Sequence, residues 1–223
     1  MSASGKVHVQ ICMAMTADGK IASANRRITQ FGSRADHERM MALREKADAI
    51  LTGAGTLNAQ PEIRLRANAK PKAPLRVIAS GSGQVNPAHG VFGSTGAPVV
   101  VLSTERISRP RAKALREAAH TLKICGVNAI DFPTALDWLH NDWGVKRIVC
   151  EGGGRLNDSL LRAGVVDEVH LTICPLILGG REAPTISDGV GFSTLEDAAQ
   201  FRLHTRKLVG EEMFLVYRRA ANA

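Results

Sequence analysis

A chain of 223 residues, 44% of them apolar, has the length of one domain and can bury a core that needs no disulfide or metal staple. Lys and Arg number 29 against 21 Asp and Glu, and the net charge of +8 suits an anionic partner, such as a phosphorylated metabolite or a dinucleotide. The apolar fraction excludes wholesale disorder, and no run reaches the roughly 18 apolar residues of a membrane span. Nucleic acid is disfavoured, because the basic residues are spread along the chain and only six Phe, two Trp and one Tyr are available to stack bases.

Lys6 to Met15 alternates and reads as a short strand, followed by a turn at Asp18-Gly19-Lys20. Ser33 or Asp36 caps a helix that runs to about Lys46, with Met40, Met41, Leu43 and Ala47 on its apolar side. Ala47 to Thr52 reads as a buried strand that ends in a Gly53-Ala54-Gly55-Thr56 turn. Residues 58–74, with Pro61, Pro71 and Pro74, read as a loop. Leu75 to Ala79 is a second buried strand, and the glycine-rich stretch 80–96 has no helical pattern, so loop or weak strand is expected there.

The second half alternates more regularly. Strands are expected at Ala97–Ser103, Leu122–Cys125, Lys146–Cys150 and Val165–Ile173. Helices are expected at Arg109–His120, at Pro133–His140, and at Leu156–Ala163, the last closed by Gly164. Phe201–Leu208 and Glu212–Arg218 form a closing hairpin around Gly210. Strand and helix in alternation, then two final strands, predict one α/β domain over 1–223 with a mainly parallel sheet and antiparallel C-terminal strands.

Cys12, Cys125, Cys150 and Cys174 form no C-x-x-C pair and read as buried, reduced thiols. His8 and Gln10 interrupt the first apolar run, so no secretory signal is expected and the protein is read as cytoplasmic. The seven histidines show no ligand spacing, so no metal is expected.

Three segments are candidates for chemistry, and one of them, Asp18-Gly19-Lys20, reads on its own as a turn with a solvated lysine. Lys146 to Leu160 runs from a buried strand through Gly152-Gly153-Gly154 into a helix, a turn whose bare backbone amides favour an anion. Arg155 beside it could reach a phosphate, including the 2′-phosphate of NADP. The sequence is neither G-x-G-x-x-G nor a P-loop, and Ser80-Gly81-Ser82-Gly83 fails the first test as well. Gly53 to Thr56 ends a buried strand, where ligands of open α/β sheets bind. Glu151 precedes the glycines. It is either a proton donor in a cleft or the partner of a nearby Lys or Arg, and the residues alone leave both open.

Taken together the segments resemble the reductase family of riboflavin biosynthesis. Thr16-Ala-Asp-Gly-Lys20-Ile-Ala22, Leu43-Arg44 and Asp48-Ala-Ile-Leu-Thr-Gly-Ala-Gly-Thr56 follow its first motifs. Glu151 to Gly154 with Leu156-Asn157, Gly164-Val-Val-Asp-Glu-Val169 and Pro175-Leu-Ile-Leu-Gly-Gly180 follow the later ones. Glu182-Ala-Pro-Thr185 and Gly189-Val-Gly-Phe192 look most like the stand-alone archaeal-type members.

The resemblance implies a dihydrofolate-reductase-like three-layer sandwich, a homodimer, and reduction by NADPH of a phosphorylated pyrimidine. The ribosylamino group of 2,5-diamino-6-ribosylamino-4(3H)-pyrimidinone 5′-phosphate, or of its deaminated form, would become ribitylamino. It further implies cofactor contacts at Thr56, Gln60, Gly81 and from Gly152, Gly153, Gly154, Arg155 and Leu156 on to Ser159. Substrate contacts would come from Arg44, Arg66 and Glu151, and catalytic groups would be Lys20 and Glu151. The deaminase signatures H-x-E and P-C-x-x-C are missing, so a reductase alone is expected.

The chain departs from the family at three places. Asn58-Ala59-Gln60-Pro61 replaces an acidic Asp-Asp-Pro, with Gln60 as the remaining partner for a ribose hydroxyl. Ser80-Gly81 replaces Asp-Ser, and Arg155 replaces a small polar residue. A paralogue acting on a dihydropterin and a non-catalytic dinucleotide-binding protein are the competing readings; the retained Lys20, Glu151 and three glycines speak against the second.

Overall fold

Four strands are buried almost throughout. They are β2 (Ala49–Gly53), β3 (Leu75–Ala79), β4 (Val99–Ser103) and β6 (Arg147–Cys150). Strands apolar on both faces belong in a parallel sheet covered on both sides. In the structure, a computed structural model that describes residues 7–26, 31–67 and 73–220, they pair in parallel with one another and with β1 (His8–Thr16) and β5 (Thr121–Ile124), and β1 pairs in parallel with β7 (Glu168–Cys174). The antiparallel hairpin of β8 (Phe201–Val209) and β9 (Glu212–Arg219) adds to β7, giving the nine-stranded order β5-β4-β3-β2-β6-β1-β7-β9-β8.

Alternate side chains feed two cores. Leu51, Val77 and Leu102 pack with Leu136 and Leu139 of α5 (Phe132–Trp143) and Leu160 of α6 (Gly154–Arg162). Ile50, Ile78 and Val101 pack on the other face with Leu43 of α1 (Arg34–Lys46), Leu57 of α2 (Ala54–Ala59) and Leu115 of α4 (Arg109–Ala118). Three layers result directly from the period-2 alternation of the strands. The helices start where their caps allow. Ser33 Oγ accepts from Asp36 N at 3.3 Å, and Asp131 Oδ1 accepts from Thr134 N at 3.2 Å.

The expected elements are present, with three corrections. The expected Gly53–Thr56 turn and the start of the expected 58–74 loop are instead the short helix α2, about one and a half turns long. It shows no periodicity, but it buries Leu57 completely. Within 80–96, residues Gly90–Gly93 form a single helical turn, α3, capped by His89 Nδ1 accepting from Val91 N at 3.1 Å. Helix α5 outruns its expected end at His140, since Trp138 and Trp143 meet edge to face on its last turns. Lys6 of the first expected strand and residues 68–72 of the expected loop lie outside the described residues.

Glu168 clamps the far end of the sheet. Its Oε2 accepts from Gln10 Nε2 at 2.7 Å and lies 3.0 Å from His170 Nε2, while Oε1 accepts from Arg218 Nε at 2.8 Å, so β1, β7 and β9 share one carboxylate. Burial opposes its ionisation, but the bonds from Gln10, His170 and Arg218 outweigh burial and bring the pKa from 4.5 to about 2. A folded value below the unfolded one means the clamp contributes fully above about pH 4.5 and fades as pH falls toward about 2. Urea midpoints should therefore drop across that window, and Glu168→Gln should make the drop shallower. An equally steep drop in the variant contradicts the clamp.

Candidate active site

Strand β6 lies between β2 and β1 and delivers Glu151 and the three glycines at its C-terminal end. Glu151 N donates to Leu51 O at 2.9 Å, continuing the ladder by one residue. The carbonyl of Gly152 then accepts from Gly53 N at 2.9 Å and from Thr52 Oγ1 at 3.2 Å, so the two strand ends are tied together. A Cβ would meet a neighbour at each of the three glycines, and at Gly154 that neighbour is backbone, Thr185 O at 2.5 Å. A Cβ on Gly152, whose φ is +71°, would lie 2.7 Å from Met13 Sδ; on Gly153, 3.0 Å from Thr56 Oγ1; on Gly154, 2.8 Å from Asp188 Oδ2. Gly153 is the N-cap of α6, and no side chain caps that end. The first amides of α6 are therefore backbone donors without a side-chain acceptor, the condition that favours an anion.

A cleft of about 650 Å³ opens at the C-terminal ends of β2, β3 and β6. Of the residues expected at a cofactor, Thr56, Gly81, Gly153, Gly154, Arg155, Leu156 and Ser159 line it. Gly152 and Gln60 do not. Gly152 spends its carbonyl on β2, and the Gln60 carbonyl lies 3.1 Å from the His89 ring nitrogen Nε2. Arg26, Asn58, Gln84, Ile130, Phe132, Arg162 and Asp188 also line the cleft, and sequence reasoning missed them. Asp188 had a local signal in Thr185-x-x-Asp188, since both oxygens of that carboxylate accept from Thr185 N, at 3.2 and 3.1 Å. The others come from loops whose course no periodicity records. Arg155 is exposed on the wall with no ion pair among the described residues, whereas Arg162 Nε pairs with Asp158 Oδ2 at 3.1 Å.

Residues 183–191 close one side of the cleft like a strap. Ile21 N donates to Pro184 O at 2.9 Å and Lys20 Nζ to Ala183 O at 3.1 Å. From α6, the buried Asn157 donates through Nδ2 to Ile186 O at 2.8 Å, and the buried Asp158 accepts from Gly191 N at 2.9 Å. The Thr16–Lys20 turn is itself held by Asp18. A bond from the Thr16 hydroxyl, then the amides of Leu178 and Gly179, lower its pKa to about 2.

Arg44 and Glu151, 107 residues apart in the chain, form a bidentate pair, Nε–Oε1 at 2.5 Å and Nη2–Oε2 at 2.7 Å. Both side chains are almost buried. Of the two readings left open for Glu151, the structure contains the paired one. Arg44 Nη1 also donates to Arg66 O at 2.8 Å, which brings Arg66 to the same group. Lys20 and Glu151 share no hydrogen bond or ion pair. Cys125, Cys150 and Cys174 are buried free thiols, and burial pushes Cys150 up to about 12; Cys12 is half-buried. Among the described residues no three His, Cys, Asp or Glu side chains converge as a metal site, and no helix is long and apolar enough to cross a membrane.

Comparison with known proteins gives a consistent result. The family model described as the RibD C-terminal domain matches residues 7–215. The chain is 34% identical over 213 residues to the 2,5-diamino-6-ribosylamino-4(3H)-pyrimidinone 5′-phosphate reductase of Methanothermobacter thermautotrophicus, covering 94% of this chain and 97% of that one. It is 28% identical over 211 residues to the Aquifex aeolicus protein of the same name, with 92% and 93% covered. Among solved structures, a pyrimidine reductase-like protein from Corynebacterium diphtheriae superposes with a TM-score of 0.80 at 18% identity, covering 98% of this chain and 94% of that one. RibD of Acinetobacter baumannii gives 0.77 at 20% identity, covering 97% of this chain and 58% of that one. At such identities the structures speak for the fold, which is the expected α/β sheet with antiparallel C-terminal strands. A match running from Val7 to Leu215, joined to the identity with a relative covered almost end to end, makes this chain a member of the RibD C-terminal domain family.

Proposed function

We propose that the protein is an NADPH-dependent reductase of riboflavin biosynthesis. It converts the ribosylamino group of 2,5-diamino-6-ribosylamino-4(3H)-pyrimidinone 5′-phosphate, or of its deaminated form, to ribitylamino. One observation carries the reading. A single strand end presents the Arg44–Glu151 pair on one side and an uncapped, side-chain-free helix start on the other. A polar substrate and an anionic cofactor are thereby offered adjoining sites. The names of the relatives point to the same substrate.

The glycine cradle fits a dinucleotide, because a Cβ at Gly153 or Gly154 would crowd Thr56 or Asp188, which line the cleft. Gly153, Gly154 and Leu156 with Thr56 and Gly81 would hold it, and Arg155 supplies a free guanidinium for a 2′-phosphate. NADPH supplies hydride for C1′ of the ribose. As the ring C–O bond opens, its oxygen needs a proton, and the Lys20 ammonium, fixed on Ala183 O, is the donor. Glu151, with both oxygens engaged by Arg44, orients the substrate as an acceptor. Arg44 and Arg66 lie toward the phosphate.

The enzyme acts in the cytoplasm as a homodimer on this reading. Support comes from β8, an edge strand exposed along nearly its whole length, with Leu203 49% and Leu208 65% exposed. A second copy would cover it. Light scattering should give twice the 23.9 kDa chain mass, and Leu208→Lys should shift it toward the monomer. A monomeric wild type contradicts the dimer.

Lys20→Ala should leave NADPH affinity intact and cut turnover at least ~100-fold, measured by cofactor fluorescence and NADPH oxidation. Glu151→Gln should do the same and lower stability too, because the nearly buried Arg44 loses the charge that compensates it. Near-wild-type rates in both variants would move the chemistry elsewhere. Gly153→Val should raise the NADPH dissociation constant, and an unchanged constant removes the glycine turn from the cofactor site.

A further inference from the structure

Arg76 heads the fully buried side chains by volume, at 2% exposure, and no step of the proposed reaction employs it. Its donors are well supplied. Nε donates to Ala97 O at 2.8 Å, Nη1 to Val91 O at 2.9 Å and to Ser94 Oγ at 2.6 Å, and Nη2 to Ser94 O at 3.1 Å. Every acceptor is neutral, and all belong to residues 91–97, in α3 and the segment that joins it to β4. Hydrogen bonds satisfy the N–H groups but do not neutralise the charge, and a buried cation without an anion is unfavourable. An apolar side chain of similar length would remove the charge but leave the carbonyls of Ser94 and Ala97 without this donor.

The segment that Arg76 holds carries a second feature. Thr95, next to Ser94, accepts from Arg66 Nη2 at 3.3 Å. Arg64 spends its guanidinium on Pro61 O and Ile63 O and packs against Gly90, where a Cβ would collide with it. Three arginines thus gather around residues 90–97, and among the described residues no carboxylate is bonded to any of them. The ordinary affinity of Arg76 for its proton is lowered first by burial and then by the charge of Arg66. Arg44, by contrast, is compensated by Glu151. Arg66 and Arg76 thus carry charge that no carboxylate among the described residues offsets.

We propose that Arg76 is a positioning residue for recognition of a phosphate monoester: it fixes residues 91–97 so that Thr95 seats Arg66, and its uncompensated charge reserves that seat for a dianion. The inference rests on the reading of Arg66 as a substrate-phosphate contact and adds what prepares that contact. A phosphate arriving at Arg66 gains from two cations while having to displace no carboxylate.

The test uses the full chain with Arg76→Met, Arg66→Met and Thr95→Val. Inorganic phosphate is titrated while the thermal midpoint is followed. Arg76→Met should lower the midpoint in phosphate-free buffer, because the carbonyls of Ser94 and Ala97 lose this donor, and should need at least ~10-fold more phosphate for the same upward shift. Arg66→Met should lose the shift, and Thr95→Val should weaken it by a smaller factor. Thr95→Val also decides the matter if Arg76→Met fails to fold. With the pyrimidine phosphate, Arg76→Met should raise KM ~10-fold with kcat within ~2-fold, and the preference for phosphorylated over dephosphorylated substrate should fall by the same factor. A merely structural role would lower both substrates alike. The phosphate titration needs no turnover, so it still decides the inference if the reductase reading fails. A wild type insensitive to phosphate, or an Arg76→Met variant that responds like wild type, overturns the proposal.

Discussion

The carbonyl of Gly152 accepts from Gly53 N and from Thr52 Oγ1, and this double contact holds the end of β6 against the end of β2. The rest of the site depends on it. With the strand ends that close, the next positions lie against Met13, Thr56, Thr185 and Asp188, and a Cβ on any of them would crowd a neighbour. Glycine is favoured by conformation at Gly152, where φ is +71°, and by packing against the Thr185 carbonyl at Gly154. The same closeness leaves the start of α6 without a side-chain cap and sets Glu151 at the last rung of the ladder, where Arg44 meets it from α1. A constraint of backbone packing thus produces both an anion-receptive helix end and a fixed carboxylate.

Charge is distributed in keeping with that arrangement. Some arginines away from the cleft are absorbed by the fold. Arg39 donates to the carbonyls of Leu171 and Leu215 and stands 4.9 Å from the Phe214 ring, pinning α1 across β7 and β9. Arg44 is matched by Glu151. Arg155 and Arg66 are left with exposed guanidinium groups, Arg155 on the cleft wall and Arg66 beside the Arg44 group. Part of the net charge of +8 thus stands at the cleft wall and beside the Arg44 group, without a carboxylate partner among the described residues.

The parallel sheet was legible because β2 and β4 are largely apolar runs between turn residues and β3 departs from that only at Arg76, and the closing hairpin because Gly210 separates two strand-like runs. The short helices α2 and α3 were not legible, since a turn or two of helix has no period to detect. The glycine turn was visible from its spacing. The Arg44–Glu151 pair was not visible from local pattern, because topology rather than spacing brings residues from α1 and β6 together. Arg76 left a trace, one cation within Leu75-Arg-Val-Ile-Ala79, but its acceptors lie in a loop with no regular pattern. Gln60 shows the opposite failure. Its place in a familiar segment suggested a cofactor contact, whereas α2 carries Asn58 and Ala59 to the cleft wall and leaves Gln60 off it.

The most direct measurement tracks NADPH oxidation by absorbance, with purified protein and the diamino-ribosylamino-pyrimidinone phosphate made in situ from GTP by a cyclohydrolase, dihydropterins being run in parallel. The account predicts rapid oxidation with the pyrimidine phosphate and none with the pterins. Oxidation with a pterin alone, or silence with every substrate despite NADPH binding, contradicts it.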